Sequence, residues 1–302
     1  MTNFLVTGPA GFLGYHVIKR LNEAGNKPRV LLTSDDDRSS LRVKSLTKLQ
    51  TEPCKGDFAN PASLRAACKG VDVVLHLYFA IAMGDGEEVE LNLHEGNVVA
   101  TQNLLDAAAK AGVKRVVISG SAFAVGLNRE PKKLNESVDW EQHAFNLPYA
   151  LSRREAELAA LEKNSKKMAV VSVLPSFTMG PDDFVKAPAN KLASRMKSKW
   201  FSINPPIGFG ILDVRDYAAG VLGAAERGVP GSRYLLSGTD TNPIKLSQTV
   251  AAAISAKIPN FFIPIPSWVV RPVLILVGLW NRMRGNPSKV SSTILELFGR
   301  HA

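Results

Sequence analysis

Residues Thr7-Gly8-Pro9-Ala10-Gly11-Phe12-Leu13-Gly14 follow a short apolar run, Phe4–Val6, and open an amphipathic stretch, Phe12–Ala24. A strand that turns this sharply into a helix needs glycine at set places. Gly8 permits the tight turn without a Cβ clash, Gly11 lets the backbone approach a pyrophosphate, and Gly14 lets the helix pack closely on the strand. The helix then presents free N–H groups and the positive end of its dipole to an anion. The turn therefore reads as a phosphate cradle for a dinucleotide rather than a plain connection.

The alternation continues down the chain. Apolar runs at Val30–Leu32, Val71–Leu77 and Val113–Ile118 are short and often β-branched, as buried parallel strands are. Helical periodicity lies between them at Pro61–Cys68 and Asn97–Ala111, the latter closed by Gly112. A further helix from Pro148 to Lys163 precedes a strand at Ala169–Leu174. This order predicts an α/β fold, a Rossmann-type doubly wound parallel sheet. After Pro175 the pattern breaks into a stretch rich in Pro, Lys and Asn (181–210), then a strand-like turn and helix over 211–226. GVPGSRYLLSG follows as a turn feeding a short strand. The expected division is 1–175 plus 211–238 for the dinucleotide-binding domain and 176–210 plus 239–302 for a smaller C-terminal substrate lobe.

The 302 residues are 45% hydrophobic and 21% charged, which excludes a disordered or fibrous chain. Cys54 and Cys68 are the only cysteines, so no disulfide scaffold and no metal site are expected. MTNFLVTG has no basic lead and long apolar stretch, so a cytoplasmic location is the expectation. The net charge of +10 lies wholly in the second half: residues 151–302 carry 20 Lys or Arg against 10 Asp or Glu, whereas 1–150 carry 17 of each. Lys186, Lys191, Arg195, Lys197 and Lys199 cluster without an acid among them. Such a cluster suits an anionic substrate, an anionic membrane surface, or a solvated face. No nucleic-acid module accompanies the charge, so no nucleic-acid partner is expected. The apolar segment 261–280 is broken by Pro264, Pro266, Arg271 and Pro272, and a central Arg alone costs about 2.5–3.5 kcal/mol in a spanning helix. It reads as a docked helix, with peripheral membrane contact through 261–284 as the other option.

The glycine spacing is GxxGxxG at the N-terminus, and further segments fall in order behind it: GDFANPASLRAACKGVDVVLHL, NVVATQNLLDAAAKAGVKRVVISGSA, PYALSRREAE, LPSFTMGPDD and LDVRDYAAGVLGAAERGVPG. From Phe4 to about Gly238 the chain resembles the extended short-chain dehydrogenase/reductase superfamily, of the epimerase/dehydratase type. Within it, the likeness is to reductases such as dihydroflavonol reductases and 3β-hydroxysteroid dehydrogenases. The resemblance implies NAD or NADP as cofactor. Phe12 and Leu13 would then offer backbone N–H groups to the pyrophosphate, and Asp57 with Phe58 would contact the adenine. Leu77 and Tyr78 would run along the cofactor, while Ser119 and Pro175, Ser176 and Phe177 would flank the nicotinamide. For Asp57 the plain alternative is a turn or cap acid. The 2′ position is read just after the second strand, where Thr33, Asp35 and Arg38 stand. Arg38 suits a 2′-phosphate and Asp35 opposes one, and the balance is taken for NADP.

Tyr149 and Arg153 are four apart on a predicted helix and share a face, and Ser121 ends the fifth strand. In carbonyl reduction an acid must protonate the developing alkoxide. A tyrosine serves if a nearby cation lowers its pKa from about 10, and a serine hydroxyl orients the same oxygen. The related pattern is YxxxK, whereas this chain reads YALSR. A guanidinium keeps the charge but is wider and planar. Tyr78 and Phe79 also stand where small residues are usual, and Ala100 replaces a glycine. Either activity persists with Arg153 as the electrostatic partner, or the pocket is partly retired. His76 reads as a satisfied core histidine, His16 as a packing residue on the first helix, and Asn97 as a tie to a helix backbone. No GxSxG or HExxH motif is present.

The leading expectation is an NAD(P)-dependent oxidoreductase. It would reduce a ketone or aldehyde on a hydrophobic small molecule, with an anionic group or membrane proximity as options, or oxidise the alcohol. A sugar-nucleotide epimerase or dehydratase, and a non-catalytic NAD(P)-binding regulator, are the rivals. The helices 97–111 and 148–163 are expected to pair with their copies in a homodimer, as in similar enzymes.

Overall fold

The computed structural model describes residues 2–33, 41–82, 86–128, 132–138, 140, 146–184, 190, 201–204, 208–253, 261–264 and 272. In chain order the elements are β1 (Phe4–Thr7), α1 (Phe12–Glu23), β2 (Arg29–Leu32), α2 (Leu41–Leu46), β3 (Glu52–Lys55), α3 (Pro61–Cys68), β4 (Val73–His76) and α4 (Glu87–Leu93). A π-helical turn, His94–Val99, leads into α5 (Ala100–Ala111). Then come β5 (Arg115–Ser119), α6 (Pro148–Glu162), β6 (Ala169–Pro175), β7 (Phe177–Met179), β8 (Phe201–Asn204) and β9 (Phe209–Asp213). The last described are α7 (Val214–Arg227), β10 (Arg233–Leu236), β11 (Thr239–Thr241), α8 (Pro243–Ala253) and β12 (Phe261–Pro264).

Seven strands form one parallel sheet in the order β10-β6-β5-β4-β1-β2-β3. The period-two alternation of each strand sorts its side chains between two cores. Val6, Val117 and Val173 join α1 and α7 on one face, through Val17, Leu21, Tyr217 and Val221. Leu5, Val116 and Val170 join α3, α5 and α6 on the other, through Leu64, Leu104 and Ala160. The chain winds outward from β1 to β3 and then returns to β4 beside β1. The sheet reverses there, and ligands of open α/β sheets bind in the crevice at the carboxyl ends of the strands flanking such a point.

The π-helical turn means that the helical stretch begins ten residues before the expected Asn97, at Glu87. β3, with sequence Glu-Pro-Cys-Lys, carries no strand signal in sequence because it is short and polar. It is the outer edge of the sheet, where Pro53 costs no ladder bond needed by a neighbour. β7, β9 and β11 form a separate three-stranded sheet, and β8 pairs in parallel with β12. Phe261–Pro264 is therefore extended, not helical, with Pro264 at the end of the strand, where a missing N–H is tolerated. The remainder of the 261–284 segment, Pro272 apart, lies outside the described residues, as does the basic cluster at 186–199 apart from Asn190.

Candidate active site

Gly8 adopts φ +64°, and a Cβ on it would lie 2.8 Å from the Tyr78 backbone nitrogen, so the turn passes tightly over the end of β4. A Cβ on Gly14 would lie 2.1 Å from the Gly8 carbonyl oxygen, which fixes glycine where α1 crosses the turn. Gly11 caps α1 in an extended conformation with no side-chain bond. Among the described residues the Phe12 and Leu13 N–H groups meet no protein acceptor. A helix start left with unpaired donors and no capping side chain fits a pyrophosphate.

Thr7 lies beside His76 in the β1–β4 register and anchors the crevice. Its hydroxyl contacts His76 Nδ1 at 2.8 Å and accepts from the Leu77 and Tyr78 N–H groups. His76 Nε2 lies 3.0 Å from Thr101 Oγ1, which itself donates to the Asn97 carbonyl. Thr101 is thus left only its acceptor capacity toward His76. The chain of donors runs one way, with the proton on Nε2 and Nδ1 accepting from Thr7. Burial, with the Arg153 charge behind it, lowers the His76 pKa to about 3, so the ring is neutral. It is the satisfied core histidine the sequence suggested.

Arg153 is 3% exposed. Its Nη1 donates to Asn97 Oδ1 (3.2 Å), and its Nη2 donates to the carbonyls of Ser119 and Gly120. Nε has no partner, and no carboxylate pairs with Arg153 among the described residues. Burial pushes its pKa down, while Tyr149, Tyr217 and Glu157 oppose the shift, in that order. A guanidinium remains charged nonetheless. One helical turn on, Glu157 has both carboxylate oxygens held by Arg233, at 3.1 and 2.7 Å, and so does not quench Arg153.

Tyr149 packs with Leu127, Leu147 and Ala150. Its ring meets the edge of Phe123 at 6.4 Å, Phe123 meets Phe177 at 5.7 Å, and Phe177 meets Phe209 at 5.1 Å. Ser121 is buried, and its Oγ accepts from the Phe123 N–H. That bond ties the serine to the ring beside Tyr149. Ser119 Oγ bonds the Tyr217 hydroxyl at 2.9 Å in full burial, and desolvation raises the tyrosine pKa. Pro175 ends β6, the Ser176 hydroxyl is buried without a partner among the described residues, and Phe177 opens β7.

On the adenine side, Asp57 is exposed, and its Oδ1 accepts from the Ala59 N–H in a turn, while Asn60 caps α3. Phe58 lies 4.5 Å from the Tyr78 ring in a tilted stack. Leu77 is buried in the core. Thr33 directly follows β2, and Arg38 lies outside the described residues.

Residues 5–206 match the model of the 3-beta hydroxysteroid dehydrogenase/isomerase family. The chain belongs to that family. A sterol demethylase protein B of Methylococcus capsulatus is 30% identical over 234 residues, covering 78% of this chain and 69% of the relative. A cinnamoyl-CoA reductase 1 of Oryza sativa subsp. japonica is 31% identical over 246 residues, covering 78% and 70%. The solved structure of a protein called gox2253 superimposes with a TM-score of 0.80 at 27% identity, covering all of this chain and 89% of that one. The relatives and the seven-stranded parallel sheet together make this an extended short-chain dehydrogenase/reductase with a Rossmann-like fold.

Several residues of this family member carry more of the site than their sequence context announced. Asn97 bonds both the N–H (2.8 Å) and the carbonyl (3.2 Å) of Ala80, as well as Ser152 Oγ and Arg153. It ties the loop after β4 to α6, rather than a helix backbone. Tyr217 reaches the site from α7, 98 positions after Ser119. His16 packs edge-on between Phe12 and Tyr15 and bonds the Pro181 carbonyl at 3.0 Å, joining α1 to the chain beyond β7. Among the described residues no group of His, Cys, Asp and Glu is placed to hold a metal, and no helix is long and apolar enough to cross a membrane.

Proposed function

We propose that the protein is an NAD(P)-dependent reductase acting on the ketone or aldehyde of a hydrophobic small molecule. The observation that carries this reading is the placement of Arg153: a buried cation with no carboxylate partner among the described residues, one turn along the helix from Tyr149. Tyr149 donates a proton to the carbonyl oxygen as it becomes an alkoxide, Ser121 holds that oxygen, and the Arg153 charge stabilises the negative charge that develops in the transition state. The nicotinamide coenzyme supplies the hydride when bound. The N–H groups of Phe12 and Leu13, which meet no acceptor among the described residues, hold its pyrophosphate. Asp57 and Phe58 take the adenine, and Leu77, Tyr78, Ser119 and the 175–177 strand junction border the ring end. The 2′ position is assigned to Thr33 and Arg38 on their place in the sequence after β2, with NADP favoured over NAD.

In this reading residues 176–210 and 239–302 make the substrate lobe. The rings of Phe123, Phe177 and Phe209 suit an apolar, planar substrate, as does the likeness to a cinnamoyl-CoA reductase. The reading is preferred to sugar-nucleotide chemistry because those rings offer little to a polyhydroxylated ring. Calorimetry with NADPH and NADH, followed by turnover on a panel of aryl and alicyclic ketones and aldehydes, tests it. Binding of neither coenzyme, or binding without turnover of any carbonyl, overturns it. Gly11→Asp, which brings a carboxylate to the phosphate cradle, is expected to reduce coenzyme affinity at least about 100-fold through like-charge repulsion and lost approach.

A homodimer through the helices is part of the same proposal. Leu151 and Leu158 lie seven apart on α6, 40% and 44% exposed, and Leu91 on the adjoining α4 is 56% exposed. Leu158→Glu is expected to convert a dimer into monomers in sedimentation velocity, since a buried unpaired carboxylate opposes association.

A further inference from the structure

Two residues that depart from the related sequence pattern, Phe79 after β4 and Arg153 on α6, are in contact. The Arg153 guanidinium carbon lies 4.8 Å from the centroid of the Phe79 ring. Nη1 and Nη2 are spent at the rim of the guanidinium, on Asn97 and on the carbonyls closing β5. Besides Nε, which has no partner among the described residues, what remains is its face, which is weakly hydrated and stacks on aromatic rings. The half-buried Phe79 lies against that charge in a place where no carboxylate does so among the described residues.

We propose that Phe79 is a positioning residue for Arg153: its ring, together with Asn97 and the Ser119 and Gly120 carbonyls, holds the guanidinium in one orientation beside Tyr149. The two departures act as a unit that does the work of a single ammonium. A lysine at 153 has neither a planar face for the ring nor a fork to span Asn97 and the two carbonyls, so Arg153→Lys does not restore the YxxxK arrangement. The catalytic part of this inference rests on the function proposed above. The contact and its effect on the cation do not.

The structural arm needs no coenzyme. In 15N-resolved NMR of arginine side chains, the Nε–H signal that disappears in Arg153→Lys is expected to be shifted upfield by the ring and to exchange slowly with water. In Phe79→Leu it should return to the ordinary arginine position and exchange faster, and in Phe79→Trp it should stay upfield. Should Phe79→Leu not fold, Phe79→Met keeps the bulk and again lacks the ring. In the kinetic arm Phe79→Leu lowers kcat about tenfold with the coenzyme KM within about twofold, and Phe79→Trp recovers it. A signal indifferent to the loss of the ring overturns the proposal, as does an equal kcat loss in the leucine and tryptophan variants. If no variant and no wild-type protein turns over, the proposed reaction fails, while the NMR arm still decides the role of Phe79.

Discussion

Replacing Tyr149 by phenylalanine is expected to lower turnover by about 10²–10⁴-fold, the range for removing a positioned general acid. The change deletes one oxygen and nothing else. The ring keeps its edge contact with Phe123 and its packing against Leu127 and Leu147, so the melting temperature stays that of the wild type. Coenzyme affinity holds as well, because pyrophosphate binding belongs to the turn at Gly8–Gly14 and not to the phenol. A loss confined to kcat marks an interaction made only in the transition state. Some activity above background persists, since Ser121 still holds the substrate oxygen and the Arg153 charge still favours its negative form. Steady-state kinetics and calorimetry on the same preparation check both halves. Wild-type turnover in the phenylalanine variant removes Tyr149 from the chemistry. It would also return the non-catalytic reading to consideration, particularly if Gly11→Asp abolished the biological activity.

The part of this site that could be read from sequence is the part that local geometry dictates. The glycine turn is legible because a strand, a phosphate-sized turn and a helix must follow within a few residues, and only glycine tolerates Gly8's left-handed φ and Gly14's contact with the turn. The five strands β1, β2, β4, β5 and β6 are legible because both their faces are buried, which leaves continuous apolar runs. β3 hides because an edge strand needs no such run. The pair Tyr149 and Arg153 shows itself by its spacing on one helix. What stays hidden is long-range. Asn97 bonds Ala80 on a loop and Ser152 and Arg153 on another helix, and Tyr217 on α7 reaches Ser119 at the end of β5. Phe79 looks like a loop aromatic until the fold lays it on a guanidinium 74 positions away. No periodicity encodes such meetings, because they depend on how whole elements pack. Sequence leaves the role of Arg153 open for the same reason: its charge is set by its type, but its availability is set by where Glu157 turns.

Glu157→Ala is expected to lower folding stability by about 3–5 kcal/mol, the cost of breaking a buried ion pair from one side. Glu157 is 1% exposed, and its carboxylate receives Arg233 on both oxygens, with Arg154 at 3.9 Å. The pair ties α6 to the edge strand β10, and Arg233 also reaches the Ala124 carbonyl beside the Ser121 turn. Alanine leaves Arg233 mostly buried with no counter-charge and opens a cavity between helix and strand. At about 2–4 °C per kcal/mol the melting midpoint falls by roughly 10 °C. Glu157→Gln keeps the shape and one acceptor, so its loss should be smaller and separates charge from packing. Added salt should scarcely change the deficit, because the site is shielded from mobile ions. The exposed pairs Lys163–Asp106 and Lys133–Asp240 contribute little at any ionic strength. An alanine variant as stable as the wild type in urea titrations would show that the pair only breaks even against its desolvation. The catalytic consequence follows from position. Tyr149, Arg153 and Glu157 recur every four residues along α6, so loosening the clamp at its third turn frees the phenol and the guanidinium to move together relative to the glycine turn. Near-melting activity should therefore decline before bulk unfolding in Glu157→Ala, and in step with it in the wild type.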